Sequence, residues 1–310
     1  MSQWWIRPSI RVCSALFLPL LVPGIITFFI WALPGDPASN ICPPERCDTA
    51  LLAKEFNLDQ GSWVFFTDWL AEAFHGDFGR SWRVMQGVEI QELLRKSFPN
   101  TMFLLLFSLI PITIGALIGA FEIVRSKWDP ILVMVGIVPV VVFALISAAV
   151  VEINYAGSDL ENQANWARIV MGALTLGFAD AAFSGSLIGF RDTLKQEKNQ
   201  RYVGVSILRG ETVLSNTLPN VCNALIGQYR SRILHILSGL VIVEVIVGIN
   251  GVGALLWKGT LSQDFGLVLA TATIFAVLSG ILLIIQAILE CLVAMHIRKA
   301  PTDVRLAESV

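Results

Sequence analysis

Residues 191–223 read RDTLKQEKNQRYVGVSILRGETVLSNTLPNVCN and form the longest polar segment in the C-terminal two thirds of the chain. Apolar segments flank it on both sides, and each is long enough to cross a hydrocarbon core of about 30 Å, which takes roughly 20 helical residues. The segment carries five Lys and Arg residues against three acids, and Arg230 and Arg232 follow shortly after it. Because loops rich in Lys and Arg face the cytoplasm, the pattern predicts a cytoplasmic segment between two membrane helices, open to a soluble partner.

The composition of the whole chain indicates an integral membrane protein. Its 310 residues are 55% hydrophobic and 15% charged, and the mean hydropathy is +0.69. Average soluble domains carry about 25% charged residues. The net charge of −2 and the lack of basic runs interleaved with aromatic residues argue against nucleic-acid binding.

The hydropathy pattern predicts an all-α polytopic protein with six membrane-spanning helices and both termini in the cytoplasm. The predicted spans are residues 12–33, 101–121, 131–151, 168–190, 233–249 and 265–295. Residues 152–166 contain three acids and no Lys or Arg, which favours an external position. The chain then divides into a first helix with its cytoplasmic segment (1–33), an extracytoplasmic region (34–98), a five-helix core (99–295) and a cytoplasmic tail (296–310).

The extracytoplasmic region contains two cysteines, Cys42 and Cys47, in one polar loop. In an oxidising space they can form a local disulfide, or they can remain two unpaired thiols, and the sequence leaves both alternatives open. No CxxC pair and no Cys/His cluster in the sequence has the spacing of metal ligands, so we predict no metal site.

The sequence contains no motif for covalent catalysis. HExxH, GxSxG and GxxxxGK[ST] are all missing from it, and without the last of these the chain cannot hydrolyse ATP by the P-loop route. Two carboxylates stand deep in apolar runs, Asp180 and Glu244, and intramembrane charges are default functional candidates. They can form a proton relay or contact a substrate. Alternatively, Asp180 bonds to a neighbouring helix inside the bundle and Glu244 lies near the outer interface.

Several motifs in order along the chain resemble one family, the inner-membrane permease subunits of bacterial dipeptide/oligopeptide-type ABC importers. In the N-terminal part these are LPGDP (33–37), HGDFGRS (75–81) and SFPNT (97–101). In the C-terminal part they are Arg191 spaced eleven residues before Tyr202, then Gly210, Asn220, Glu244 before Gly251-Val252-Gly253, and Asp264-Phe265. The resemblance covers most of the chain and is weakest in residues 125–185.

The resemblance implies a type I importer permease, with six transmembrane helices and an extracytoplasmic domain between the first two. It implies half of a channel for di- or oligopeptides in the bacterial inner membrane, beside a second permease, two ATP-binding subunits and an extracytoplasmic substrate-binding protein. ATP and Mg²⁺ are then expected on the partner subunits, and no cofactor and no enzymatic activity on this chain. The alternative function is a proton-coupled secondary transporter that uses Asp180 and Glu244. Relatives of this kind also carry nickel or other solutes, so the substrate stays open.

The same resemblance implies a short coupling helix within residues 191–223 that docks on an ATP-binding subunit. The residues expected to form it are Tyr202, Val205, Ser206, Ile207, Leu208, Arg209, Gly210 and Glu211. Only the tyrosine and Gly210 match the usual pattern of Glu-Ala-Ala followed by glycine, so a solvated loop that has lost coupling is the alternative. In the extracytoplasmic region, turn and packing roles, without ligand contacts, are expected for Gly35, Asp36, Pro37, Gly76, Asp77 and Gly79.

Overall fold

The structure, a computed structural model, describes residues 6–32, 37–41, 48–155, 161–210 and 212–299. Some residues singled out in the sequence lie outside these ranges, namely Gly35, Asp36, Cys42, Cys47 and Glu211. The two alternatives for Cys42 and Cys47 therefore stay predictions, as does the position of the tail after residue 299.

The described residues are almost entirely helical. The α-helices in chain order are α1 (Ile6–Ala32), α2 (Pro37–Ile41), α3 (Thr49–Glu55), α4 (Ser62–Phe74), α5 (Ile90–Ala120), α6 (Asp129–Gly136), α7 (Val140–Tyr155), α8 (Glu161–Phe178), α9 (Ala182–Lys198), α10 (Arg201–Leu208), α11 (Val213–Val247), α12 (Val252–Leu261) and α13 (Phe265–Lys299). Short 3-10 turns precede α6 and α9. This all-α architecture confirms the predicted fold class.

Six stretches of the described residues are long and apolar enough to cross a membrane if each bent helix pair counts as one span. The four stretches without a sharp bend are Ser9–Ala32, Ile90–Ala120, Asn162–Lys198 and Phe265–Met295. The two bent pairs are Ser126–Gly136 with Val140–Tyr155, at 74°, and Thr217–Val247 with Val252–Leu261, at 75°. The number agrees with the six predicted spans, although several helices extend well beyond their apolar centres.

Both bends occur where the local sequence interrupts a helix. Pro139 lies between α6 and α7, and proline has no N–H for the helical hydrogen bond and disfavours helical geometry in the residue before it. Helix α11 ends at Gly248, whose φ of 76° is a left-handed conformation that glycine adopts without steric cost. A third interruption separates α8 from α9, where Asp180 and Ala181 have φ values of 48° and 58°.

The membrane bundle packs around one apolar cluster contributed by α5, α7, α8 and α11. Its members include Leu104, Ile112, Ala144, Ile169 and Leu240, all fully buried. Helices α5 and α9 approach closely at two glycines of α5. A Cβ at Gly115 would lie 2.8 Å from the carbonyl oxygen of Phe183, and one at Gly119 would lie 2.1 Å from that of Leu187. Glycine spacing of this kind allows two helix backbones to come together.

A second apolar cluster joins the interhelical region, residues 48–89, to one end of the bundle. Trp69 of α4 and Trp82 are buried in it together with Ile90 of α5 and Leu267 of α13. The indole ring of Trp82 lies edge-on to Phe265, with the ring centroids 6.1 Å apart. The interhelical region is therefore packed onto the bundle through aromatic side chains.

Candidate functional site

Helix α10 presents an apolar surface away from the bundle. Val205 and Ile207 are exposed, and Leu208 is 89% exposed, whereas Val203 and Ser206 are buried on the opposite face. The helix ends at Leu208, and Gly210, two residues on, has a φ of 78°, which favours glycine. Leu208 is therefore a large apolar side chain, at the end of a short helix, that no described residue covers.

The face of α10 that packs inward is fixed by polar contacts. The Tyr202 hydroxyl donates to Glu197 Oε1 at the end of α9 over 2.5 Å and accepts from Asn220 Nδ2 of α11 over 2.8 Å. Burial raises the pKa of Tyr202, and the hydrogen bond to Glu197 acts in the same direction. The Ser206 hydroxyl donates to the Val203 carbonyl oxygen. Tyr202 therefore connects α10 to α9 and α11, whereas the Ser206 contact stays within α10. Val205, Ile207 and Leu208 face outward.

A bidentate ion pair connects α9, the helix that leads into α10, to the start of α6. Arg191 is buried, and its two terminal nitrogens donate to the two carboxylate oxygens of Asp129 over 2.8 and 2.6 Å. A second pair, Lys198 with Glu122, joins the end of α9 to the turn after α5 over 2.6 Å. The hydrogen bond from Lys198 lowers the pKa of Glu122. The turn at residues 121–125 therefore lies on the same side of the bundle as α10.

Asp180 lies in the interruption between α8 and α9, where it contacts the break between α6 and α7. Its N–H donates to the Val138 carbonyl oxygen over 3.3 Å, and its Oδ1 accepts from the Val140 N–H, the first residue of α7, over 3.3 Å. On the other side, Oδ2 lies 3.5 Å from His235 Nε2 of α11. The carboxylate thus lies at the amino end of α7, where the positive end of the helix dipole favours a negative charge. This position matches the structural alternative, a bond to a neighbouring helix.

Glu244 is fully buried near the carboxyl end of α11. Its carboxylate accepts from the Thr101 hydroxyl over 2.7 Å and from the Ala254 N–H over 2.9 Å. Thr101 in turn accepts from the Val252 N–H over 2.8 Å. A Cβ on Gly251 would lie 2.3 Å from the carboxylate. The SFPNT and NGVG motifs, about 150 residues apart in the chain, therefore meet around Glu244.

Asp264 is a fully buried carboxylate to which sequence reasoning assigned no role. Its Oδ2 accepts from the Ser81 hydroxyl over 2.5 Å and from the N–H groups of Arg83 and Val84 over 3.0 Å each. Its Oδ1 accepts from the Leu267 N–H at the start of α13 over 3.2 Å. The one sign of this residue's importance in the sequence was the pair Asp264-Phe265, which stands at the spacing seen in the family that the sequence resembles.

The glycine motif of the interhelical region forms turns next to this contact. Gly76 and Gly79 have φ values of 87° and 77°, and Asp77 Oδ1 accepts from the Gly79 N–H over 2.9 Å. Pro37 begins α2. Gly76, Asp77 and Gly79 thus shape the backbone just before Ser81. The structure brings neither these residues nor Pro37 together with α10 or Asp180.

Two features together define the class of protein: a six-span helical bundle, and a short helix with an apolar outer surface between the fourth and fifth spans. The chain matches the family of binding-protein-dependent transport system inner membrane components over residues 111–294, more than half its length. It therefore belongs to this family, the inner-membrane permease subunits of ABC importers.

Curated relatives cover nearly the whole chain. The glutathione transport system permease protein GsiC of Salmonella typhimurium is 27% identical over 272 residues, which are 83% of this chain and 87% of the relative. The GsiC proteins of Shigella boydii and of Escherichia coli K12 are each 26% identical over 296 residues, covering 89% of this chain and 92% of the relative. Similarity thus extends beyond the matched family region into the N-terminal part.

Proposed function

We propose that this permease forms half of a translocation pathway for small peptides, and that separate ATP-binding subunits drive it through contact with α10. The exposed apolar surface of α10 is the observation that carries the coupling part of the proposal. The similarity to glutathione transport permeases supports the substrate class, since glutathione is itself a tripeptide.

The chemistry of α10 suits insertion into a groove on another protein. Val205, Ile207 and Leu208 expose apolar side chains on a helix of eight residues. Short helices commonly dock by such a face, and burial of a few apolar anchors dominates the affinity. A solvated loop would have no need of these side chains.

In the proposed assembly, α10 and both termini lie in the cytoplasm, and the interhelical region lies outside, beneath a substrate-binding protein. The excess of Lys and Arg in residues 191–223 supports this orientation. A second permease completes the channel, and the two ATP-binding subunits carry ATP and Mg²⁺. This chain then performs no covalent chemistry and carries no cofactor.

The proposed mechanism is a linkage between nucleotide state and bundle conformation. ATP binding draws the two ATP-binding subunits together, and each pulls on the α10 helix seated in it. Because α10 is bound to α9 and α11 through Tyr202, its displacement is transmitted to two membrane helices. The paired permeases then rock between outward-open and inward-open forms.

Leu208→Asp tests the docking of α10. The substitution puts a charge on the apolar surface without touching the buried face, so we expect copurification of ATP-binding subunits to be lost and peptide uptake to fall about tenfold or more. The matched control is Leu51→Asp, which alters another exposed leucine, in α3. Because α3 belongs to the region proposed to face the substrate-binding protein, this control is read by copurification of the ATP-binding subunits, which should be unchanged. Normal uptake by the Leu208 variant would refute the coupling role. Gly210→Trp is a poorer test because the positive φ of Gly210 makes any side chain strained there.

The contacts of the two intramembrane carboxylates support a structural role for each of them. The Glu244 carboxylate is buried and bonded to Thr101 and Ala254, and Asp180 is bonded to Val140. Both sets of contacts stabilise helix ends and turns. Membership of a family of ABC importer permeases supports ATP-binding partners as the energy source instead.

A further inference from the structure

One side of α11 exposes polar and small side chains along most of its membrane span. Between Leu218 and Ile242, no large apolar side chain of this helix is exposed. The exposed residues in that interval, which we call the polar face of α11, are Asn220, Asn223, Ala224, Ser231, His235 and Ser238. Most of them recur at intervals of three, four or seven residues, so they share one side of the helix. From Asn220 to Ser238 the face is about 27 Å long at a rise of 1.5 Å per residue, close to the roughly 30 Å of a hydrocarbon core.

Helix α13 exposes a surface of the opposite kind. Every exposed residue of α13 up to Met295 is apolar, namely Val277, Ile281, Ile285, Ile288, Leu289, Leu292 and Met295. Lipid tails are as apolar as these side chains, so this surface of α13 suits direct contact with the bilayer. The polar face of α11 therefore has a different neighbour.

The polar face includes an ionisable group deep within the bundle. The His235 side chain is 48% exposed, and its Nε2 lies 3.5 Å from Oδ2 of Asp180, whose side chain is 34% exposed. Asp180 stands in the middle of the membrane stretch Asn162–Lys198, eighteen residues from either end. Ionisable groups at such depth almost always face the bundle interior or a water-filled cavity, because contact with hydrocarbon is expensive. Water or protein therefore covers His235, and lipid tails do not.

The polar face begins beside α10. The side-chain amide of Asn220 donates to the Tyr202 hydroxyl over 2.8 Å. The short helix with the apolar outer surface is thus bonded directly to the helix that carries the polar face. A displacement of α10 is accordingly transmitted to the residues of this face.

We propose that the polar face of α11 lines the translocation pathway, and that His235 contacts the peptide as it passes. This inference rests on the proposed function and names the surface of this chain that performs it. A peptide that enters the membrane loses water from its N–H and carbonyl groups, and each of them then needs a partner. Imidazole, hydroxyl and amide groups all donate and accept hydrogen bonds, so the face supplies such partners along its length. The Ser238 hydroxyl, which donates to the His235 carbonyl oxygen over 2.7 Å, still has lone pairs to accept with.

A tightly packed second permease is the alternative cover for this face. Small residues such as Ala224 and Ser231 allow two membrane helices to approach closely. Such packing would also take the His235 imidazole and the Asn223 amide out of water, which is costly unless each polar group finds a partner. A wet pathway leaves these groups hydrated between transport events, so it fits the composition of the face better.

The first test measures whether the polar face is wet in the intact complex. The complex of the permease with its partner subunits is placed in lipid nanodiscs after its five native cysteines have been replaced with serine. Ser231→Cys, His235→Cys and Ser238→Cys are then treated with a methanethiosulfonate reagent that carries a sulfonate and reacts with thiols in water.

The matched control for this labelling is Ile281→Cys on α13. Ile281 is 46% exposed and lies near the middle of the stretch Phe265–Met295. We expect the three α11 cysteines to be modified at least about tenfold faster than the control, because a thiol in apolar surroundings forms little thiolate. S-methylglutathione, a tripeptide without a free thiol, should slow the modification of His235→Cys and leave the control unchanged.

The second test measures uptake of S-methylglutathione into proteoliposomes. We expect His235→Leu to lower uptake about tenfold, since the peptide loses a hydrogen-bonding partner in a dry environment. His235→Gln keeps such a partner and should retain most of the uptake. Copurification of the ATP-binding subunits with both variants checks that the complex is assembled.

Three results would overturn the inference. The first is slow modification of all three α11 cysteines in a complex that still takes up peptide. The second is their efficient disulfide crosslinking to the second permease, which would assign the face to a subunit contact. The third is full uptake by His235→Leu. A parent complex without any ATP-dependent peptide uptake would instead refute the proposed function, and this outcome is recognised before any residue of α11 is changed.

Discussion

Asp180 holds together two breaks in the membrane helices. It adopts a φ of 48°, and left-handed geometry is several-fold commoner for Asp and Asn than for other residues with a Cβ. Its carboxylate caps the first N–H of α7, just after Pro139. The left-handed backbone of Asp180 and the charge of its carboxylate thus both act at the contact between the two breaks.

Substitutions at Asp180 separate its structural contribution from a proton-transfer role. We expect Asp180→Ala to lower the free energy of unfolding by about 1 kcal/mol, because it removes a helix-terminal acceptor. Asp180→Asn keeps an acceptor and tolerates the same φ, so stability and uptake should remain near those of the parent. Thermal unfolding of the purified complex and peptide uptake in vesicles provide the two measurements. A stable Asn variant without uptake would revive the proton-coupled alternative.

At the scale of helices, the structure extends two membrane helices into the polar segment 191–223, beyond the predicted spans 168–190 and 233–249. Residues 191–198 complete α9, residues 201–208 form α10, and α11 begins at Val213. Hydropathy marks only the apolar centre of a membrane helix, so polar turns that extend beyond the bilayer look like loops. The position of a short helix near Tyr202 was predictable from the resemblance to the permease family. Which of its faces is buried was not, because Asn220 and Glu197 come into contact with Tyr202 only in three dimensions.

The ion pair between Arg191 and Asp129 should be the stronger of the two that position α9. Arg191→Met leaves the Asp129 carboxylate without its bidentate partner, and we expect a loss of about 1–3 kcal/mol in the free energy of unfolding. The matched control is Lys198→Met, which breaks the more exposed pair with Glu122 and should cost less than about 1 kcal/mol. Denaturation of both variants under identical detergent conditions makes the comparison. Equal losses of stability in the two variants would show that the burial of Arg191 adds nothing to the strength of its ion pair.

At the scale of the whole molecule, Asp264 joins the interhelical region to the bundle. One carboxylate oxygen receives three donors from residues 81–84, and the other caps α13. No periodicity in the sequence could pair Ser81 with Asp264, since 183 residues separate them. Six spans and the all-α class follow from composition and hydropathy, whereas contacts of this kind depend on how the spans are arranged.

Asp264→Asn should loosen this junction. An amide can present an acceptor to only one of the two donor groups, so its NH₂ faces another donor, and we expect a cost of about 1–3 kcal/mol. Limited proteolysis should cut residues 48–89 faster than in the parent protein, while the ATP-binding subunits still copurify because α10 is untouched. Unchanged proteolysis would mean that the aromatic contact of Trp82 with Phe265 suffices to hold the region.

The contact between Gly119 and the Leu187 carbonyl oxygen limits how this chain can mutate. Alanine differs from glycine by a single nucleotide in every codon, yet its methyl group at position 119 would lie 2.1 Å from that oxygen. Relief of the clash requires α5 and α9 to move apart, and α9 carries Arg191 and leads directly into α10. A single-nucleotide mutation at a glycine buried between two membrane helices would thus be felt at α10, the helix for which we propose a coupling role.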